Sequence, residues 1–170
     1  MFKKEIPPSS RSKVKSSVQR GLRQRFLETY PGFEPYIEEI LPKKAQLDAV
    51  KFTPLFYQPL DGPPIPHLKL VHSFPSALPT VQIDRGAIRF VLSGAALMAP
   101  GLTSAGGRLP DADQKLEKGD VVAVLAEGKE LACLVGVLKA GTEEIKEKKK
   151  GIVIDDGHYL GDGLWRMNLD

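Results

Sequence analysis

The sequence has little cysteine: Cys133 is the only one among 170 residues. A single cysteine excludes a disulfide within the chain and a zinc site built from several cysteines of one chain. We expect its side chain to be small and buried. No window approaches the ~18 apolar residues of a membrane span, and the opening MFKKEIPPSS lacks the apolar stretch of a signal peptide. The sequence therefore predicts no membrane contact and a cytoplasmic protein.

The common catalytic motifs are also absent: there is no HExxH, GxSxG, Walker loop or GxGxxG. His67, His72 and His158 have no metal-ligand spacing, and we expect the first two on opposite faces of one strand. Asp155 and Asp156 are neighbours in an expected turn and so diverge, unlike the facing carboxylates of acid–base catalysis. We therefore expect no enzyme: no catalytic residue, no cofactor and no metal.

Positive charge is concentrated near the start of the chain. Residues 1–30 contain eight Lys or Arg and two Asp or Glu, whereas residues 108–170 contain ten and thirteen. The composition, 42% hydrophobic and 26% charged, is that of a globular protein. This asymmetry favours a polyanion such as RNA as the ligand of the N-terminal region.

Apolar residues recur every fourth position in the first helical segment, which predicts an amphipathic helix. These residues are Val14, Val18, Leu22, Phe26 and Tyr30. Lys13 and Arg20 fall on the opposite side, with Arg23 nearby, and this face has no acidic residue before Glu28. The face is either simply solvated or turned towards RNA phosphates, and both interpretations remain open.

The pattern then changes from helix to strand. A second short helix is predicted at 34–41, and strands are predicted at 50–52, 55–57 and 68–72. The apolar segment 74–79 is bounded by prolines and suits packing between two domains. We therefore predict domains at 1–78 and 79–170.

The central stretch Asp84–Gly101 reads DRGAIRFVLSGAALMAPG. It predicts a helix that Asp84 caps and that ends before Gly94 in the left-handed conformation. A short strand at 95–98 and a turn at Pro100-Gly101 should follow.

Small residues at this corner would let a phosphate–sugar backbone approach closely, beside Arg85 and Arg89. The alternative is a tightly packed corner with ordinary surface arginines. The candidate RNA-binding residues here are Arg85, Arg89, Ser93, Gly94, Ala95, Met98, Pro100 and Gly101.

The C-terminal part predicts strands at 121–125, 131–138 and 151–154. Thr142 should cap a short helix between the last two. The lysines at 146–150 suit the negative end of its macrodipole, which explains them better than an RNA-binding patch does. We expect Trp165 in the barrel core.

The residues from about 80 onwards resemble a PUA domain, the small RNA-binding barrel of pseudouridine synthases and archaeosine transglycosylases. The matching motifs, in order, are DRGA (84–87), SGA (93–95), MAPG (98–101), KGD (118–120), VG (135–136) and GDGLW (161–165). The resemblance implies an α+β protein, with a mixed α/β N-terminal domain followed by a small PUA-type pseudo-barrel.

The whole chain resembles the malignant T-cell-amplified sequence family. The matching motifs are MFKK, YPG (30–32), LPKK (41–44), GAIRFVLSGA, MAPGLTS, GKELACLVGV and HYLGDGLW. The family implies a translation factor that pairs with density-regulated protein, which carries a SUI1-type domain, and binds the small ribosomal subunit. It implies roles in tRNA ejection, subunit recycling, reinitiation and non-standard initiation, with the PUA domain holding the tRNA acceptor end.

On this interpretation, Lys13, Arg20 and Arg23 face ribosomal RNA, and the Asp84–Gly101 corner faces tRNA. An alternative is an RNA-targeting accessory subunit of a tRNA-modifying enzyme, since PUA domains mostly serve there. A third is an enzyme with a pocket beneath residues 74–79.

Overall fold

The computed structural model describes residue 4 and residues 15–42, 55–59 and 62–167. The predicted strand at 50–52 and the candidate Lys13 lie outside these residues. The N-terminal elements are α1 (Ser16–Thr29), a 3₁₀ helix (Pro31–Tyr36), α2 (Ile37–Ile40), β1 (Phe56–Tyr57), β2 (Ile65–Pro66) and α3 (Leu68–Ser73).

An aromatic cluster forms the core of the N-terminal part. Phe26 on α1 is buried, and its ring centroid lies 5.3 Å from that of Tyr30 and 5.1 Å from that of Phe33. Phe56 on β1 stacks on the same ring at 5.8 Å. The predicted amphipathic helix is therefore confirmed in its second half, where aromatic rings bury the inner face. The prediction was wrong at Val18, whose side chain is 49% exposed, and Val14 lies outside the described residues.

The predicted strand at 68–72 was wrong, because the structure has helix α3 there. His67 caps this helix: its Nδ1 accepts a hydrogen bond from the Lys69 amide at 3.0 Å. A short apolar run does not distinguish a buried helix from a buried strand, and here the cap decides between them. The inference that His67 and His72 lie on opposite faces of one strand was therefore wrong as well.

The C-terminal part is a small barrel-like domain of two sheets with peripheral helices. One sheet has the order β3-β5-β6-β8, with β3 parallel to β5, and the other pairs β4 with β7. The elements are β3 (Thr80–Ile83), α4 (Arg85–Leu92), β4 (Leu97–Met98), α5 (Pro100–Thr103), a 3₁₀ helix (Ala112–Gln114), β5 (Val121–Ala126), β6 (Ala132–Val137), α6 (Thr142–Lys148), β7 (Ile152–Ile154) and β8 (His158–Tyr159). The three predicted C-terminal strands are confirmed.

The predicted helix in the central stretch is confirmed as α4. The Asp84 carboxylate caps it by accepting the Ala87 amide at 2.9 Å, and Gly94 follows the helix at φ 79°. Two local predictions were wrong. Pro100-Gly101 opens the one-turn helix α5, because proline suits the first helical turn. Thr142 does not cap α6: its buried hydroxyl accepts the Leu116 amide, and Gly141 holds the capping position.

The hairpin β5–β6 serves two cores at once. Val122 and Val124 point into the barrel. Val121, Ala123 and, on β6, Val135 pack against the aromatic cluster of the N-terminal part. Successive side chains of a strand point to opposite faces, so a strand buried on both faces has a continuous apolar sequence. The N-terminal part thus packs directly on the sheet of the barrel.

Replacement of Gly94 should destabilise the protein. At φ 79° a β-branched side chain is strained, so Gly94→Val should lower the free energy of unfolding by about 1–3 kcal/mol. A Cβ added at Gly21 on α1 would meet nothing within 4 Å, so Gly21→Ala should be neutral or stabilising. Urea denaturation of both variants measures the difference. Equal stability of Gly94→Val and the parent would contradict the conformational role.

Candidate nucleic-acid interface

Two arginines stand exposed on α4. The Arg85 side chain is 78% exposed, although its Nε lies 3.9 Å from Glu127 Oε1. The Arg89 guanidinium lies over the Phe90 ring, 4.7 Å from the ring centroid. An exposed ion pair of this length is weak, so Arg85 remains available to an anion. We call α4, the connection through Gly94, β4 and the start of α5 the arginine ledge.

The predicted contact residues of the arginine ledge divide into exposed and buried positions. Ser93, Ala95, Met98 and Pro100 are exposed, as are the two arginines, whereas Gly94 and Gly101 are buried.

The buried glycines allow the backbone segments of the arginine ledge to pack closely. A Cβ on Gly101 would lie 3.0 Å from the Ala87 Cβ, so this glycine permits α5 to pack on α4. The Gly94 and Ala95 amides donate to the carbonyls of Val91 and Phe90. These two amides are therefore used within the corner and are not available as donors to a ligand.

Three exposed apolar side chains lie on the arginine ledge and on the adjoining strand β7, and the sequence analysis missed two of them. Phe90 is 53% exposed and Ile152 is 47% exposed, while the predicted Met98 is 45% exposed. Met98 on β4 is the register partner of Ile152 on β7. The sequence signal was Phe90 itself, which falls outside the helical spacing of the buried face of α4.

The three basic residues predicted on the other RNA surface have different environments. Arg20 is exposed on α1. Arg23 is largely enclosed: its guanidinium donates to Glu38 at 2.5 Å and to the Leu41 carbonyl, and its side chain is 17% exposed. Arg23 therefore links α1 to α2, whereas Arg20 has its charge in solvent.

Two histidines that are far apart in sequence meet in the structure. The rings of His67 and His158 lie 4.4 Å apart, and both side chains are buried. His158 Nδ1 lies 2.9 Å from the buried carboxylate of Asp162, which also accepts the amides of Tyr159 and Trp165. This network joins α3 to the turn after β8.

The hydrogen bonds of His67 and His158 hold parts of the structure together. Because His67 Nδ1 accepts the Lys69 amide, its neutral ring carries the proton on Nε2, which faces the Leu164 carbonyl at 3.3 Å. Burial, and then the neighbouring His158, lower the pKa of His67 to about 4. Within residues 15–42, 55–59 and 62–167, no group of three or more His, Cys, Asp or Glu could hold a metal ion.

The side chain of Trp165 packs against His67 and His72. Its ring stacks on His67 with an interplanar angle of 14°, and Lys69 Nζ lies 5.6 Å from the ring centroid. The expectation that Trp165 belongs to the barrel core was wrong: the residue is half-buried and packs with the N-terminal core, because it follows the turn after β8 rather than lying in a strand.

Comparison with known families matches both parts of the chain. The Pre-PUA-like domain matches residues 2–75 and the PUA domain matches residues 79–160. Translation machinery-associated protein 20 of Saccharomyces cerevisiae is 50% identical over 183 aligned residues, covering all of both chains. Malignant T-cell-amplified sequence 2 of Homo sapiens is 42% identical, covering 98% of each chain. The chain belongs to the family of these translation machinery-associated and malignant T-cell-amplified sequence proteins.

A solved structure supports the same architecture. A PUA-domain protein from Aeropyrum pernix K1 superposes with a TM-score of 0.64 at 20% identity, covering 91% of this chain and 88% of that one. The chain is therefore an α+β protein with a Pre-PUA part and a PUA barrel. Along the stretches that the structure describes, no helix has the length and apolarity needed to cross a bilayer.

The lowered pKa of His67 predicts that the free energy of unfolding depends on pH. His67 stays neutral when folded, so only the unfolded chain binds a proton there between its usual pKa of 6.5 and about 4. Stability should therefore fall as the pH falls through this window, by at most about 1.4 kcal/mol per pH unit for this group.

His67→Asn should keep the helix cap and remove this titration, whereas His67→Ala should lose both. Chemical denaturation at pH 7 and pH 4.5 measures the two effects. An identical pH dependence in the parent and His67→Asn would contradict the assignment.

Proposed function

We propose that this protein is a translation factor that binds the small ribosomal subunit and the acceptor end of tRNA. The observation that carries the proposal is its full-length similarity to translation machinery-associated protein 20, at 50% identity. On this proposal it acts in the cytoplasm without catalysing a reaction. It works with a SUI1-domain partner, density-regulated protein, in tRNA ejection, subunit recycling, reinitiation and non-standard initiation.

The arginine ledge is the proposed tRNA side. Arg85 and Arg89 supply exposed positive charge, and Phe90 on α4 and Met98 on β4 supply exposed apolar surface. Cations bind phosphates, and apolar or aromatic groups stack on unpaired bases. This combination suits a single-stranded end better than a duplex, whose bases are already stacked.

The basic residues Lys13, Arg20 and Arg23 form the proposed ribosomal side. Arg20 lies on the exposed face of α1, Arg23 lies between α1 and α2, and Lys13 lies outside the described residues. The charge of the first 30 residues, eight basic against two acidic, supports this assignment. Arg20 is the best-placed contact because its side chain is exposed. The charge of Arg23 is paired with Glu38, so we expect a smaller contribution to binding from Arg23 than from Arg20.

Removing the charges of the arginine ledge should weaken tRNA binding and spare subunit binding. For Arg85→Gln with Arg89→Gln, the slope of log K against log salt should become shallower by about 1.4–1.8, at about 0.7–0.9 per lost phosphate contact. Filter binding over a salt series measures the slope, and sedimentation with small subunits measures the second activity.

Lys115→Gln with Lys118→Gln removes the same charge from an exposed loop and serves as the control. A tRNA lacking its unpaired 3′ nucleotides should bind the parent protein more weakly. If the truncated and the full tRNA bind equally, the acceptor-end assignment is wrong.

Arg20 and Arg23 should separate binding from stability. Arg20→Gln should weaken sedimentation with small subunits without changing the melting temperature. Arg23→Gln should lower the free energy of unfolding by about 1 kcal/mol, because it removes the link between α1 and α2. Absence of the parent protein from the small-subunit fraction, with the SUI1-domain partner present, would overturn the ribosomal assignment.

A further inference from the structure

The lysines that end α6 fall into two pairs with different environments. Lys146 Nζ lies 3.0 Å from Glu143 Oε1 and donates to the Pro110 carbonyl at 2.7 Å. Lys148 Nζ donates to Glu144 at 2.6 Å. Both lysines therefore have acidic partners on α6 itself, and Lys146 also reaches the loop at Pro110. They already complement the negative end of the helix.

The next two lysines are exposed and make no ion pair with any residue described in the structure. Lys149 is also the one non-glycine residue with positive φ in the described ranges, at 50°. Glycine or asparagine takes this helix-ending conformation at lower cost.

The chain places these lysines at the edge of the arginine ledge. The Gly151 carbonyl accepts the Ala99 amide at 2.9 Å, and the next residue, Ile152, is the register partner of Met98. Lys150 therefore lies at the end of the β4–β7 pair where Pro100 begins α5. The exposed Met98 and Ile152 side chains belong to this strand pair, and Ile152 follows Lys150 by two residues.

We propose that Lys149 and Lys150 bind phosphates of the same single-stranded tRNA end as the arginine ledge. The proposal rests on the proposed function. It adds a second group of cations, which lies just before β7 in the chain. Bases would then lie over the exposed apolar side chains, and phosphates would meet cations on either side.

The test compares Lys149→Asn and Lys150→Gln, alone and combined, with the control Lys115→Gln and Lys118→Gln. Asparagine tolerates the left-handed conformation, so Lys149→Asn should have an equal or higher melting temperature while binding tRNA more weakly. The double variant should make the salt slope shallower by about 1.4, at about 0.7 for each phosphate contact on a single strand. Loss of stability cannot produce this combination of results.

Each outcome separates this proposal from the proposed function. A shallower slope in the lysine variant, with the control unchanged, supports the lysine contact. An unchanged slope in the lysine variant, with weaker binding by Arg85→Gln and Arg89→Gln, overturns the lysine contact and leaves the tRNA assignment intact. Unchanged binding in both variants overturns the tRNA assignment of the ledge and the lysine contact together.

Discussion

The structure depends on one hairpin that is buried on both faces. The alternate side chains of β5 and β6 fill the barrel on one side and meet the N-terminal aromatic cluster on the other. Neither part can shift without exposing apolar surface to water, and such exposure costs about 25 cal/mol of free energy per Å². The shared hairpin therefore fixes the position of the N-terminal helix relative to the arginine ledge.

A second constraint, polar rather than apolar, acts at the same junction. Asp162 is buried and accepts bonds from His158, Tyr159 and Trp165, and the adjoining His67 caps α3. Buried carboxylates and imidazoles are tolerated when their bonds are satisfied. Such a network has strict geometry, so it fixes the orientation that apolar packing alone would leave adjustable. The bonds of these side chains hold α3 and the turn after β8 together.

Local chemistry made the central stretch predictable. The Asp84 cap, the helical spacing of α4 and the glycine at φ 79° each follow from interactions within about ten residues. The same reasoning failed at α3, where an apolar run fits either a buried helix or a buried strand. It also failed for Trp165, since nothing local indicates which of two cores an aromatic side chain will join.

The sequence by itself determined the family, the α+β architecture, the capped helix of the ledge and the excess of positive charge near the start. These depend on residue type and short spacing. Only the tertiary structure decided which charges are available: Arg23 and Lys146 are bonded internally, whereas Arg20, Arg89 and Lys150 are exposed. It also brought His67 to His158 across 91 residues of sequence (158 − 67). Availability and long-range proximity depend on partners distant in sequence, and no local pattern specifies them.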